Sequence, residues 1–192
     1  MCVKKISSLA ASIIKLFIII LFFFNNSKAE ENNIKYYSKD MGILSLIYHR
    51  FGESRYPSTN IQMNVFKNQI NIIKDLNYKF YNPKNLEKNF NKEKSEKKIL
   101  ITIDDGFSSF YENAWPYLKE NKIPFILFIS TEVVGKNGYM NWDQIKEVEK
   151  EPTAFIGNHS HSHDYLVNFE SSHFLNDIKT ANKIFIEKLG YN

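Results

Sequence analysis

Residues 98–106 read KILITIDDG, an apolar, β-branched run that stops abruptly at two carboxylates and a glycine. Ile99, Ile101 and Ile103 favour a pleated, buried backbone. A continuous apolar run of this length reads as a strand covered on both faces. Asp104-Asp105-Gly106 taken alone is most simply a turn, because glycine supplies positive φ and aspartate bonds its own backbone. Such a turn would lead directly into a second strand. Residues 107–121 carry a helical pattern instead, opened by Ser108 or Ser109 and interrupted by Pro116, where a kink or restart is expected. Two neighbouring carboxylates at a strand end repel each other, and a nearby cation relieves that cost.

The same alternation continues on both sides. Apolar strands are expected at 43–48 (ILSLIY), near 79–81, at 124–130 (PFILFIS) and at 153–156. His49-Arg50-Phe51-Gly52 follow the first strand, and a loop containing proline and serine runs from there to Asn60. Between the strands, Val65, Phe66, Gln69, Ile70, Ile73 and Leu76 recur at helical spacing, predicting a helix over 64–77 with Asn64 as its cap. A brief helix is expected at 84–90, and one at 142–149 capped by Asn141. A last helix opens at Ser171 or Ser172, with Phe174, Ile178, Ala181, Phe185 and Leu189 on one face. Strand–helix alternation with continuous apolar strands predicts an α/β fold, a parallel sheet covered by helices. Sites in such folds form at the C-terminal ends of strands.

A second polar cluster stands at another such end. Residues 157–163 read GNHSHSH, three of the chain's five histidines within five positions. As a helical turn, His159 and His163 would share a face with His161 turned away. As an extended strand, all three would point to one side. A solvated His-rich tract is the alternative. Two imidazoles and one carboxylate leave coordination positions open, which suits a hydrolytic divalent metal, most simply zinc. The second carboxylate then serves as general base.

The N-terminus sets the compartment. Lys4 and Lys5 precede an apolar run at 16–24 (LFIIILFFF), and Ser27 and Ala29 stand at the small-residue positions of a cleavage site. That is the layout of a secretory signal peptide over residues 1–29, with 30–41 a loose lead-in and 42–192 the folded domain. The run is shorter than the roughly 20 residues of a membrane span, so no stable span is expected after cleavage. The chain holds 25 basic and 21 acidic residues, and four of its lysines lie in 1–29 with no acid beside them. The remainder is neutral, 21 against 21, which removes the charge argument for nucleic-acid binding. The single cysteine, Cys2, lies in the leader too, leaving no disulfide or thiol chemistry. The charged tract at 91–98 (NKEKSEKK) reads as a solvated loop.

Thr102-Ile103-Asp104-Asp105-Gly106 resembles the T-F-D-D-G motif of the polysaccharide deacetylases, the NodB-homology or carbohydrate esterase family 4 fold. His159-Ser160-x-x-His163 is similar to that family's H-[S/T]-x-x-H motif. Tyr48-His49-Arg50-Phe51 followed by Tyr56-Pro57-Ser58-Thr59 resembles a subgroup of exported members. The resemblance implies a (β/α) barrel, Asp104 as catalytic base, and Asp105, His159 and His163 as metal ligands. It implies removal of N-acetyl groups from an N-acetylglucosamine-type polymer, in the periplasm or outside the cell. Ile103 stands in place of the motif's phenylalanine, and Asp164 where a proline often follows the second histidine. The family's later segments, one with an arginine, one with Asp-Trp and one with Leu-x-His, are not found up to Asn192. The expectation is therefore a partial barrel of about five strands, not closed, with an unpaired edge and exposed apolar surface. A chain that binds metal or glycan without turnover is the alternative reading.

Other candidates carry less. His49, at the end of the first strand, is the candidate substrate-binding residue, while His161 and His173 read as surface residues. Trp142 reads as helix packing, and Arg50 stands in for the missing arginine by position alone. A single carboxylate pair, without further His/Asp clusters, argues against a two-metal phosphoesterase site.

Overall fold

The structure, a computed structural model, describes residues 43–85 and 97–191. The leader expected at 1–29, the lead-in expected at 30–41, most of the helix expected at 84–90 and most of the charged tract lie outside the described residues. The elements, in chain order, are β1 (Ile43–Tyr48), β2 (Arg50–Phe51), β3 (Asn60–Ile61), α1 (Met63–Asp75), β4 (Lys79–Phe80), β5 (Lys98–Ile103), α2 (Trp115–Glu120), β6 (Phe125–Ile129), α3 (Trp142–Glu149), β7 (Ala154–Asn158) and α4 (Ser171–Leu189). 3-10 turns at Pro83–Asn85 and Leu166–Asn168 and a π-helical turn at Phe110–Ala114 complete them. Among the described residues no helix is long and apolar enough to cross a membrane.

Five strands form one parallel sheet in the order β1-β5-β6-β7, with β4 also paired to β5. Strand β5 pairs with β1 along its whole length, from Ile43↔Lys98 to Tyr48↔Ile103. Its other edge is shared: Lys98 and Ile99 meet β4, while Ile101 to Ile103 meet β6. The central strands are apolar on both faces because both are covered. Ile101, Ile103, Phe125, Leu127 and Ile129 are fully buried. Among the described residues β1 and β7 each pair along one edge only, so the sheet is open, as expected. Leu44 and Ile47 on β1 and Phe155 on β7 are exposed, the apolar surface that such edges leave.

Helices cover the sheet through narrow apolar stripes. Phe66, Ile70 and Ile73 of α1 are buried, and the Tyr48 hydroxyl donates to Gln69 Oε1 at 2.8 Å. Val65 and Leu76, expected on that face, are exposed. Asn64 is not the cap: the helix begins one residue earlier, behind Gln62, and Asn64 Oδ1 accepts from the neighbouring Val65 N–H. Around Pro116 the helix restarts, as expected. The Trp115 N–H reaches back to Phe110 O in a wide π-type turn, and α2 begins with proline in its first turn, where the missing donor costs least. Asn141 caps α3 in a reciprocal capping box with Gln144. On α4 the buried face is Asp177, Ala181 and Phe185, and Phe174 is exposed.

Two further features depart from the reading of the sequence. A strand pair brackets the loop that runs to Asn60: Arg50–Phe51 pairs with Asn60–Ile61, a ladder too short to leave a periodic signal. Strand β7 runs on to Asn158, through Gly157, rather than ending at Ile156. A Cβ on Gly157 would lie 2.5 Å from the Phe128 ring, so the bare glycine lets that ring pack across β7. Gly157→Ala is expected to lower stability by about 1–3 kcal/mol through overpacking. Urea midpoints for the two chains at equal slope would measure it.

Candidate metal centre and active site

The site grows from four strand ends. Past β5, the Asp104 N–H donates to Tyr48 O at 2.8 Å, extending the β1–β5 ladder by one bond. Past β7, the His159 N–H donates to Ile129 O at 3.0 Å and does the same for β6–β7. His49 follows β1 and Ser130 follows β6, where the Ser130 hydroxyl donates to His159 O at 2.9 Å. The parallel ladders thus deliver both polar clusters to one edge of the sheet.

Asp105 and Gly106 both adopt left-handed backbone, with φ of 73° and 70°. A Cβ on Gly106 would lie 2.7 Å from Ile129 Cδ1, so the turn can sit this tightly only with glycine there. Met140 N–H donates to Gly106 O and Ser108 N–H to Gly138 O, pinning the turn against the 138–140 segment. The turn reading and the site reading of Asp-Asp-Gly are therefore the same structure.

The histidine segment is neither of the forms expected. Residues 159–163 make an irregular loop, with Ser160 and His163 at φ of 73° and 60°. Asn158 Oδ1 accepts from Ser160 N–H, and Ser160 Oγ accepts from His163 N–H. These short-range bonds bend the chain so that His159 and His163 meet. His161 turns to the other side, its Nδ1 2.8 Å from Thr131 Oγ1. It is half-buried and held, rather than the surface residue expected.

Asp177 is the residue that the reading of the sequence missed. It reaches from α4 and accepts from the backbone N–H groups of His161 and Ser162, at 2.7 and 2.9 Å. Only 6% of it is exposed. Burial pushes its carboxyl up, but those donors, with the Ser162 hydroxyl, outweigh burial and hold it below the ordinary carboxylate range. One signal was available: an aspartate on the apolar stripe of α4 needs a partner.

The side chains then converge. Asp105 Oδ1 lies 3.4 Å from His159 Nε2 and 3.0 Å from His163 Nε2. Yet this oxygen is buried and no described group makes a well-aligned hydrogen bond to it. The three candidate ligand atoms lie within 4.8 Å of one another. Tetrahedral ligands with bonds of about 2 Å sit about 3.3 Å apart, so the trio fits one small divalent cation. An orphaned buried carboxylate oxygen facing two imidazole nitrogens is what such a cation would satisfy. Asp104 stands beside the trio, its Oδ2 4.0 Å from His159 Nε2 and 3.9 Å from His49 Nε2. His49 thus lines the site from the Asp104 side.

The two carboxylates are driven apart. Burial raises the Asp104 carboxyl above its ordinary range, only partly offset by His159 and His49. At Asp105 burial acts in the same direction but loses to the polar contact with His159 and the charge of His163, and its carboxyl is lowered. The His159 imidazole is raised, first by its contact with Asp105 and then, against burial, by the charge of Asp104.

Asp177→Ala is expected to weaken divalent-cation binding by the trio by about tenfold to a hundredfold while leaving the three candidate side chains in place, by freeing the loop between the two histidines. Calorimetric titration would read it. A carboxyl lowered in the native state stabilises the fold above its unfolded pKa of about 3.9, and that contribution is lost as pH falls through the lower native value. Between about pH 5 and pH 3 the unsubstituted chain should therefore lose stability more steeply than Asp177→Asn, as seen in urea midpoints across that range.

Comparison with known proteins shows the family and the fold. The polysaccharide deacetylase family model matches residues 91–192. The chain is 30% identical over 144 residues to a poly-β-1,6-N-acetyl-D-glucosamine N-deacetylase of Staphylococcus aureus, covering 66% of this chain and 50% of that protein. It spans about half the length of the curated relatives it matches. Among solved structures it is similar to IcaB from Ammonifex degensii, with TM-score 0.70, 27% identity, and coverage of 79% and 71% of the two chains. The fold is also that of the Streptococcus pyogenes deacetylase PplD, solved with acetate, with TM-score 0.69, 21% identity, and coverage of 80% and 71%. The chain belongs to the polysaccharide deacetylase family.

Proposed function

We propose that this chain carries the metal-binding residues of a hydrolase that removes N-acetyl groups from an exported N-acetylglucosamine polymer. The observation that carries the reading is the orphaned Asp105 Oδ1 facing His159 Nε2 and His163 Nε2, with a second carboxylate beside it. Asp105, His159 and His163 would hold a divalent cation, zinc being the simplest choice for two imidazoles and a carboxylate. When bound, it supplies Lewis acidity toward the acetamide carbonyl and makes a nearby water more acidic. Asp104 would accept the proton of the attacking water. That proton is the one the departing amine requires once the C–N bond breaks, so acetate and a free amine account for all atoms. His49, on the far side of Asp104, lines the approach for substrate.

The substrate class is supported by the staphylococcal relative, whose name gives poly-β-1,6-N-acetyl-D-glucosamine as what it acts on. The leader at residues 1–29 supports work outside the cytoplasm, on periplasmic or extracellular polysaccharide, and the neutral remainder favours no nucleic acid.

Zinc titration and acetate release test this together. Asp104→Asn is expected to keep zinc affinity while cutting acetate release by about 10²–10⁴-fold, the scale of a lost general base. A chain with both His159→Ala and His163→Ala should take up no zinc. Zinc uptake unchanged in that double variant would overturn the site. Uptake without acetate release in the unsubstituted chain would favour a metal-binding chain without turnover.

A further inference from the structure

The segment that grips the Asp-Asp-Gly turn begins at an exposed tip outside the site. Asn137-Gly138 is the only Asn-Gly step in the sequence, and both residues are exposed. Neither lines the cleft beside Asp105 and His163, which Arg50, Tyr56, Phe107 and Tyr139 wall. The Tyr139 N–H donates to Lys136 O at 3.0 Å, closing a turn with Asn137 and Gly138 at its centre. Gly138 supplies the positive φ, 85°, that the third position of a type II turn requires.

Both groups needed for reaction between the Asn137 amide and the next backbone nitrogen are free. Among the described residues no hydrogen bond occupies the Asn137 side chain or the Gly138 N–H. A Cβ built on Gly138 would meet nothing within 4 Å, so neither a side chain nor a neighbouring wall shields that nitrogen. Glycine also leaves the backbone free to turn its nitrogen onto the Asn137 side chain. The reaction consumes only water. The Gly138 nitrogen loses its proton to solvent and bonds to Asn137 Cγ. The Cγ–Nδ2 bond breaks, Nδ2 takes up a proton and leaves as ammonia, and a five-membered succinimide is closed. Water then opens one of the two ring C–N bonds, giving hydroxyl to carbon and hydrogen to nitrogen. Opening at Cγ leaves an aspartyl residue. Opening at the main-chain carbonyl leaves an isoaspartyl residue, whose main chain runs through Cβ and Cγ and is one carbon longer.

The segment that follows is short and tightly registered. Gly138 O accepts from the Ser108 N–H at 2.9 Å, and the Met140 N–H donates to Gly106 O at 2.8 Å. Between those bonds Phe107 and Tyr139 form an antiparallel bridge, their ring centroids 4.8 Å apart. The left-handed backbone of Asp105 and Gly106 is held against this grip.

We propose that Asn137-Gly138 is a site of spontaneous covalent modification, whose conversion to isoaspartate releases the 138–140 segment from the Asp104-Asp105-Gly106 turn. The extra main-chain carbon arises one residue ahead of Gly138, so the bond from Ser108 to Gly138 O loses its register first. The protein thereby carries a slow, irreversible change of state in its own sequence, independent of any bound cation.

The full chain is incubated at mildly alkaline pH, digested and mapped by mass spectrometry, with isoaspartyl peptides separated by chromatography. Residue 137 is expected to convert before every other asparagine of the described residues, releasing one ammonia per conversion. Hydrogen exchange at the Ser108 and Met140 amides, read by NMR on the separated isoaspartyl form, should be severalfold faster than in the fresh chain. That is the scale of one weakened backbone hydrogen bond. Asn137→Gln, whose longer side chain closes no five-membered ring, should keep both amides protected through the same incubation. Freshly prepared Asn137→Asp, with the charge but the original chain length, should exchange as the fresh parent does. Earlier conversion at another described asparagine would overturn the site. Unchanged exchange in the isoaspartyl form, or equal acceleration in fresh Asn137→Asp, would overturn its effect on the turn.

Discussion

Parallel pairing in register is the constraint on which the rest of this protein depends. Tyr48 pairs with Ile103, Ile103 with Leu127, and Ile129 with Asn158, so four strands finish along one edge of the sheet. Whatever follows each strand is brought to that edge with it. His49, Asp104, Ser130 and His159 are the residues that follow, and the site is their meeting place. Slipping any strand by one residue would turn its side chains to the opposite face and scatter the cluster. The buried isoleucines and phenylalanines of β5 and β6 hold the register through which the polar groups meet.

Ladders alone do not aim the side chains. The Asp-Asp-Gly turn needs left-handed backbone at two successive residues, and the histidine loop needs it at Ser160 and His163. Strained backbone of this kind persists only where its surroundings over-determine it. Here those surroundings are visible. The 138–140 segment grips one turn through two backbone bonds, and Asp177 with Asn158 and Ser160 grips the other. The result is a buried carboxylate oxygen confronted by two imidazoles and not hydrogen-bonded by them, an arrangement costly without a cation and satisfied by one. A polar trio of this kind next to an aromatic-walled cleft makes one continuous surface, with Arg50 and Asp105 on its two sides.

Much of this was legible in the chain. The five strands, the helix at 142–149 with its Asn141 cap and the break at Pro116 follow from local pattern and hold in three dimensions. Asp104, Asp105, His159 and His163 stood out because polar clusters after apolar strands are conspicuous. The β2–β3 pair did not, since two residues have no period. The exact caps of α1 and α4 did not either: Asn64 and Ser171 are good capping types, but the flanking Gln62 and Glu170 hold the cap positions. The expected helical or extended histidine segment proved to be a loop, because its form is set by hydrogen bonds to Asn158 and Asp177 rather than by its own propensity.

By itself the sequence determined which residues could do chemistry and that they would lie at strand ends, because hydrophobic period and residue type are local properties. Only the tertiary structure decided how they face one another. That His159 and His163 converge while His161 turns to Thr131 depends on an aspartate fourteen positions beyond His163, on α4. That Arg50 meets Phe107 rather than Asp104 depends on a two-residue ladder and on how two turns pack. Such contacts join residues far apart in the chain, and local pattern carries no record of them.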